Sequence, residues 1–235
     1  MYSWRNIIDS LAKDFTVYAV DMPGHGYTTV KNKPDYDLPY FAKFINDFMA
    51  AQKLDHITLV GNSWGGGWAL YYAQQFPHKV DNLILIDAAG LSVKDVFEWE
   101  ILKYPVIGEI TTCMITRKNV RQGYEKSYFD KSLITQALVE ETYYPLKIRE
   151  NQKAMYKIKR RCDWKVTEKQ MSNVSTPTLI IWGAEDAYLS VKNAETYHAQ
   201  MPNSTLRVIE KCGHTPQEER PEITIKYIKD FLVKS

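Results

Sequence analysis

A serine bracketed by glycines, Gly61-Asn62-Ser63-Trp64-Gly65, is the part of the chain whose residue types point most directly to chemistry. An apolar run over residues 57–60 leads into it, and Trp68-Ala69-Leu70-Tyr71-Tyr72-Ala73 follows with helical character. A strand that turns sharply into a helix holds such a serine at its tip, in a strained backbone region, with its Oγ exposed to a base. Gly61 and Gly65 are expected where a Cβ would collide with the strand or helix packed beside the turn. The same turn aims the N–H of Trp64, the first of the helix, at the space above Ser63 where an oxyanion would develop.

A serine hydroxyl is a poor nucleophile until a base takes its proton and a third group orients that base. The chain offers five histidines: His25, His56, His78, His198 and His214. His214 follows the last expected strand in Cys212-Gly-His-Thr-Pro216, at the carboxyl edge where Ser63 also sits and where sites assemble in open α/β sheets. His56 and His78 fall at the opposite edge and His198 within a helix, which leaves His25 as the competitor. For the orienting acid, Asp186 lies just after the strand over residues 178–182, with Glu185 beside it. Asp87, at the end of the preceding strand, competes with it.

The elements that must position these groups alternate. Helical spacing of apolar residues marks 4–13, 41–49, 189–200 and 221–234, and β-type runs mark 15–20, 57–60, 80–86, 178–182 and 205–209. Strands apolar throughout, separated by helices, predict a mostly parallel sheet covered by helices on both faces, an α/β architecture. Residues 91–169 break the rhythm with helices and clustered aromatics, among them Phe97, Trp99, Tyr104, Tyr124, Tyr128 and Trp164. They read as a helical insertion whose aromatics line an apolar pocket over Ser63. The core is then 1–90 plus 170–235.

At 235 residues the chain suffices for one core with an insertion. Its formal charge of +2 argues neither for nucleic acid nor for a membrane surface, so neither is expected as a partner, and no apolar run reaches the roughly 18 residues of a spanning helix. The insertion carries 16 Lys/Arg against 11 Asp/Glu, a surplus that reads first as a solvated helix face and second as attraction for an anionic substrate. Cys113, Cys162 and Cys212 are too few and too scattered for a disulfide framework or a zinc site, which fits a reducing, cytoplasmic setting.

Asp21-Met-Pro-Gly-His-Gly26, Gly61-Asn-Ser-Trp-Gly-Gly66, Ile181-Trp-Gly-Ala-Glu-Asp186 and Cys212-Gly-His-Thr-Pro216 with Glu219-Arg-Pro-Glu222 together carry a resemblance. The chain resembles the α/β-hydrolase superfamily, in particular its cap-bearing esterase, C–C hydrolase and prolyl aminopeptidase branches. The resemblance implies a Ser63–His214–Asp186 triad, a helical cap, a small-molecule substrate, and no metal or organic cofactor. Serine at 63 separates the chain from the dehalogenase and epoxide-hydrolase branches, which carry aspartate there.

One departure bears on activity. Members of that superfamily place two or three strands and a His-Gly loop ahead of the helix that here starts at Trp4, and that loop supplies a second oxyanion N–H. The chain is therefore expected to be N-terminally truncated, with only the Trp64 N–H for an oxyanion. Three functions compete: an ester or acyl hydrolase (or its C–C hydrolase and peptidase variants), a ligand-binding protein on a hydrolase fold, and an inactive fragment. A strand is also missing between residues 15–20 and 57–60. A folded monomer is expected to pair these two directly or to borrow a strand from another chain, whereas an open slot is expected of a fragment.

Overall fold

The computed structural model describes residues 1–30 and 34–233. Four strands, β1 (Ile57–Asn62), β2 (Val80–Ile86), β3 (Thr178–Gly183) and β4 (Ser204–Ile209), form one sheet in the order β1-β2-β3-β4, parallel throughout. In chain order the helices are α1 (Ile8–Leu11), α2 (Leu38–Gln52), α3 (Trp64–Gln75), α4 (Phe97–Glu100), α5 (Ile107–Cys113) and α6 (Arg117–Ser127). There follow α7 (Gln136–Leu146), α8 (Arg149–Arg161), α9 (Trp164–Lys169), α10 (Lys192–Gln200), α11 (Pro216–Glu219) and α12 (Pro221–Leu232). The closing helix was expected to run to Lys234, which lies outside the described residues.

Strand periodicity explains the two layers. Leu83, Leu85, Ile180 and Trp182 point to one face, where they meet Ala42, Ile45 and Met49 of α2, Ala69, Leu70 and Ala73 of α3, and Ala194 and Tyr197 of α10. Ile84, Ile86, Leu179 and Ile181 point to the other, against Ile7, Leu11 and Ile228 of the N-terminal turns and α12. A strand buried on both faces must be apolar at every position, and Leu83 to Ile86 are fully buried. Each such side chain contributes about 1.5–3 kcal/mol by leaving water.

Residues 15–20 correct the expectation of a strand. The segment joins no ladder, Phe15 and Tyr18 are exposed, and Val17 alone packs toward the sheet core. An extended run becomes a strand only with a partner. A cavity of about 1270 Å³, lined by Thr16 to Val20 and by Ile57 to Gly61, lies in this region. Direct pairing of the two segments, one of the two arrangements expected of a folded monomer, is not formed. The helix expected over 4–13 is likewise reduced to a 3₁₀ turn at Tyr2–Trp4 and the single turn α1.

Residues 91–169 contain α4 to α9 and no strand among the described residues. Their aromatics divide. Trp99, Tyr124 and Trp164 line the cavity, whereas Phe97, Tyr104, Phe129 and Tyr144 face solvent and Tyr128 is buried in a separate cluster with Val120, Ile134, Leu138 and Val139.

Candidate active site

Ser63 sits between β1 and α3 with φ 53° and ψ −124°, a left-handed conformation that costs a non-glycine residue about 1–3 kcal/mol. Its backbone is held on both sides: the N–H donates to the Ile86 carbonyl at 3.1 Å, and its carbonyl accepts from Ala89 at 2.9 Å and Gly67 at 3.2 Å. The tightness of the turn comes from Gly61, where a Cβ would lie 2.3 Å from the Gly65 carbonyl oxygen, and from Gly66, where it would lie 2.5 Å from the Ala88 Cβ. Gly65 departs from the expectation: a Cβ there would meet nothing within 4 Å, because the position faces the cavity. The requirement falls one residue later, on Gly66. Trp64 opens α3, so its N–H has no intrahelical partner and lies at the positive end of the helix dipole beside Ser63.

His214 and Asp186 come together as expected. His214 Nδ1 lies 2.7 Å from Asp186 Oδ2, and both residues are buried. Asp186 Oδ1 accepts the N–H groups of Tyr188 at 2.7 Å and Leu189 at 3.0 Å. Those two bonds explain why α10 starts at Lys192 rather than at the expected Leu189: the residues ahead of it turn toward the carboxylate instead of winding into the helix. With its proton on Nδ1, His214 presents a free lone pair at Nε2. Ser63, Trp64 and His214 line the same cavity. No hydrogen bond joins Ser63 Oγ to His214 among the described residues, and such contacts commonly tighten only around a substrate.

Several supporting groups lie inside the motifs quoted above, where sequence reasoning assigned them no role. Asn62, the variable residue of the Gly-x-Ser turn, donates through Nδ2 to the carbonyls of Ile86 at 3.1 Å and His214 at 3.0 Å, tying the serine turn to the histidine loop. The His214 N–H donates to the Ser127 carbonyl at the end of α6, at 2.7 Å. Glu219 accepts from Phe129 at 3.0 Å, Asp130 at 2.9 Å and Gly213 at 2.9 Å. Glu185 is a brace between loops, accepting the Cys212 N–H at 2.9 Å. The histidine loop and the α6 end therefore share one hydrogen-bonded junction.

The competitors are placed as well. His25 is half-buried against Trp68 and Trp64, at ring separations of 5.4 Å and 6.2 Å, and desolvation pushes its basicity down. Asp87 is fully buried, with Oδ1 accepting the Gly183 N–H at 2.9 Å. Burial first, and then the negative Asp186, hold its carboxyl well above the usual carboxylate range. Asp87, Asp186 and His214 bring one polar atom each within 4.8 Å of one another, the one cluster of metal-holding spacing among the described residues. Two of its three members are already joined by the His214–Asp186 bond.

Aromatic rings wall the site. Trp64 meets Trp99 at 4.9 Å, Trp99 meets Tyr188 at 6.5 Å, and Tyr188 meets His214 at 5.2 Å. The Tyr188 hydroxyl donates to the Gly123 carbonyl of α6 at 3.1 Å, and burial raises its pKa to about 12.

The junction predicts one steric effect. A Cβ on Gly213 would lie 1.9 Å from the Ser127 carbonyl oxygen, the acceptor of the His214 N–H. Gly213→Ala is expected to lower stability by about 1–3 kcal/mol, as overpacking against rigid backbone does. Urea unfolding checks it, and an unchanged midpoint would show that the α6 end yields freely.

Comparison with known proteins agrees with this architecture. The chain matches the alpha/beta hydrolase fold family over residues 1–108 and 115–221. It is 30% identical over 250 residues to the mouse monoacylglycerol lipase ABHD6, covering 97% of this chain and 71% of that one. It is 26% identical to the uncharacterized hydrolase YugF of Bacillus subtilis, covering 98% of this chain and 85% of the relative. Among solved structures, the meta-cleavage product hydrolase CumD of Pseudomonas fluorescens IP01 superposes with a TM-score of 0.84 at 23% identity, covering 99% and 85% of the two chains. The chain belongs to the alpha/beta hydrolase fold family, and its relatives include lipases and other hydrolases.

Proposed function

We propose that the chain is a serine hydrolase that cleaves an ester or related small acyl substrate through Ser63, His214 and Asp186. The observation that carries this reading is the His214 Nδ1–Asp186 Oδ2 bond of 2.7 Å, on a carboxylate held by two further N–H groups, behind a histidine that shares its cavity with a strained serine. In the first step Ser63 Oγ bonds to the acyl carbon while His214 Nε2 accepts the hydroxyl proton. Asp186 stabilises the imidazolium, and the Trp64 N–H faces the oxyanion. Collapse breaks the bond to the leaving group, which takes the proton from Nε2. Water, deprotonated by the same nitrogen, then releases the acid and restores Ser63. The aromatic wall of Trp64, Trp99 and Tyr188 supports an apolar acyl or alcohol portion.

In this reading residues 91–169 act as a cap over Ser63, with Trp99, Tyr124 and Trp164 as its contribution to the cavity. Free Cys113, Cys162 and Cys212 support residence in the reducing cytoplasm. No described helix is long and apolar enough to cross a membrane. A fluorophosphonate probe tests the reading. Its phosphorus should bond to Ser63 Oγ with loss of fluoride, giving an adduct that peptide mass spectrometry maps to Ser63 and that His214→Ala suppresses. Absence of an adduct, with the fold intact by circular dichroism, would leave a ligand-binding protein on a hydrolase scaffold.

A further inference from the structure

α5 is built inside out. Its buried residues are Gly108 and Thr112, and a Cβ on Gly108 would lie 2.6 Å from the Leu102 carbonyl oxygen, so the small-residue face is the one pressed onto the protein. On the opposite side Ile107 is 50% exposed and Ile110 53%, and Met114, one residue past the helix, is 69% exposed. Positions 107, 110 and 114 fall on one stripe of a helix, at the i, i+3, i+7 spacing that normally faces a core. Tyr104 and Val106 just before α5 and Phe97 in α4, 76% exposed, extend the same apolar character. A run of this size on one segment needs an occupant.

Charge at its border selects that occupant. The acids of this segment are each bridged to a cation: Glu98 to Lys126 at 3.0 Å, Glu100 to Lys103 at 2.8 Å, and Glu109 to Arg160 at 3.4 Å. Arg160 also donates to the Leu102 and Tyr104 carbonyls, which fastens the strap ahead of α5. Lys147 reaches the Cys113 carbonyl at 3.4 Å, at the C-terminal end of α5, and Lys118 lies exposed in the first turn of α6. Neither lysine has a salt bridge among the described residues. Over residues 91–169 Lys and Arg outnumber Asp and Glu by 16 to 11.

We propose that the outer face of α5 and its flanking strap is a docking surface for an anionic lipid bilayer. Apolar side chains beside cations are what an interfacial helix offers to a headgroup layer, with the apolar stripe entering the acyl boundary and the lysines meeting lipid phosphate. The surface is continuous in the chain with the cavity wall: Val96, Trp99 and Ile115 line the cavity, while Phe97, Ile110 and Met114 face outward. The chain-wide charge of +2 averages a cationic insertion with an acidic remainder, so it does not speak against such a surface on the insertion.

Vesicle sedimentation tests the proposal without reference to activity. The chain should sediment with vesicles of phosphatidylcholine mixed with phosphatidylglycerol, and bind roughly tenfold more weakly to phosphatidylcholine alone or to the mixture in high salt. Combining Ile107→Ser, Ile110→Ser and Met114→Ser should weaken binding to the mixture by about tenfold or more, with an unchanged circular dichroism spectrum. Lys118→Glu with Lys147→Glu should weaken binding to the mixed vesicles only. Wild-type protein that stays in the supernatant would overturn the proposal, as would a serine variant that still binds. So would a wild-type dimer, indifferent to vesicles, that the serine substitutions convert to monomer.

Discussion

Ser63→Ala and His214→Ala should each remove nearly all hydrolysis of an activated ester, by a factor of about 10³ or more. The two losses should not add. Without the His214 base, Ser63 Oγ keeps its proton, and without Ser63 the base has no nucleophile to activate. The double substitution should therefore fall close to either single one. Neither change should disturb the fold. Ser63 is held through backbone groups, and His214 is anchored through its own N–H to Ser127 and its carbonyl to Asn62. Kinetics with a p-nitrophenyl ester, beside urea unfolding of each variant, make the check. Full activity in Ser63→Ala would move the chemistry to another group.

The relation between sequence and structure differs from one element to the next. Leu83 to Ile86 and Thr178 to Trp182 were legible as buried strands because a strand covered on both faces leaves no polar position to blur the pattern. His214 and Asp186 were legible because loops after parallel strands share one edge. The junction of Glu219 with Phe129 and Asp130 was not, since it joins residues some ninety positions apart through backbone N–H groups that have no residue type. The segment over 15–20 has a β-type composition, yet a strand is a property of a pair, and its side chains line a cavity instead of flanking a ladder. The stripe at Ile107, Ile110 and Met114 shows the complementary limit: helical periodicity reveals that a face is apolar, not which side of the helix the protein covers.

Asp186→Asn and Asp87→Asn, two chemically identical changes one strand apart, should have opposite consequences. Asparagine at 186 can offer its amide nitrogen where His214 needs an acceptor. The imidazole then turns to the tautomer with its proton on Nε2 and no longer serves as a base toward Ser63, at a cost of about 10³–10⁴ in kcat. At 87 the carboxyl is fully buried, accepts the Gly183 N–H, and is held well above the usual carboxylate range by burial and by Asp186. Asparagine there keeps the acceptor and the shape of a protonated acid, so activity at pH 7 should stay within a few-fold of wild type. The sign of the pH effect follows from the raised value. Native protein retains a proton on Asp87 that the unfolded chain releases above about pH 4. The unfolded state thus binds fewer protons, and this group's contribution to stability declines as pH climbs from about 4 toward its native pKa. Asp87→Asn abolishes that decline, so its stability relative to wild type should improve as pH rises above about 4. Urea unfolding at several pH values, paired with ester kinetics, reads both halves. If Asp87→Asn proved the damaging change and Asp186→Asn the harmless one, the acid that orients His214 would be Asp87.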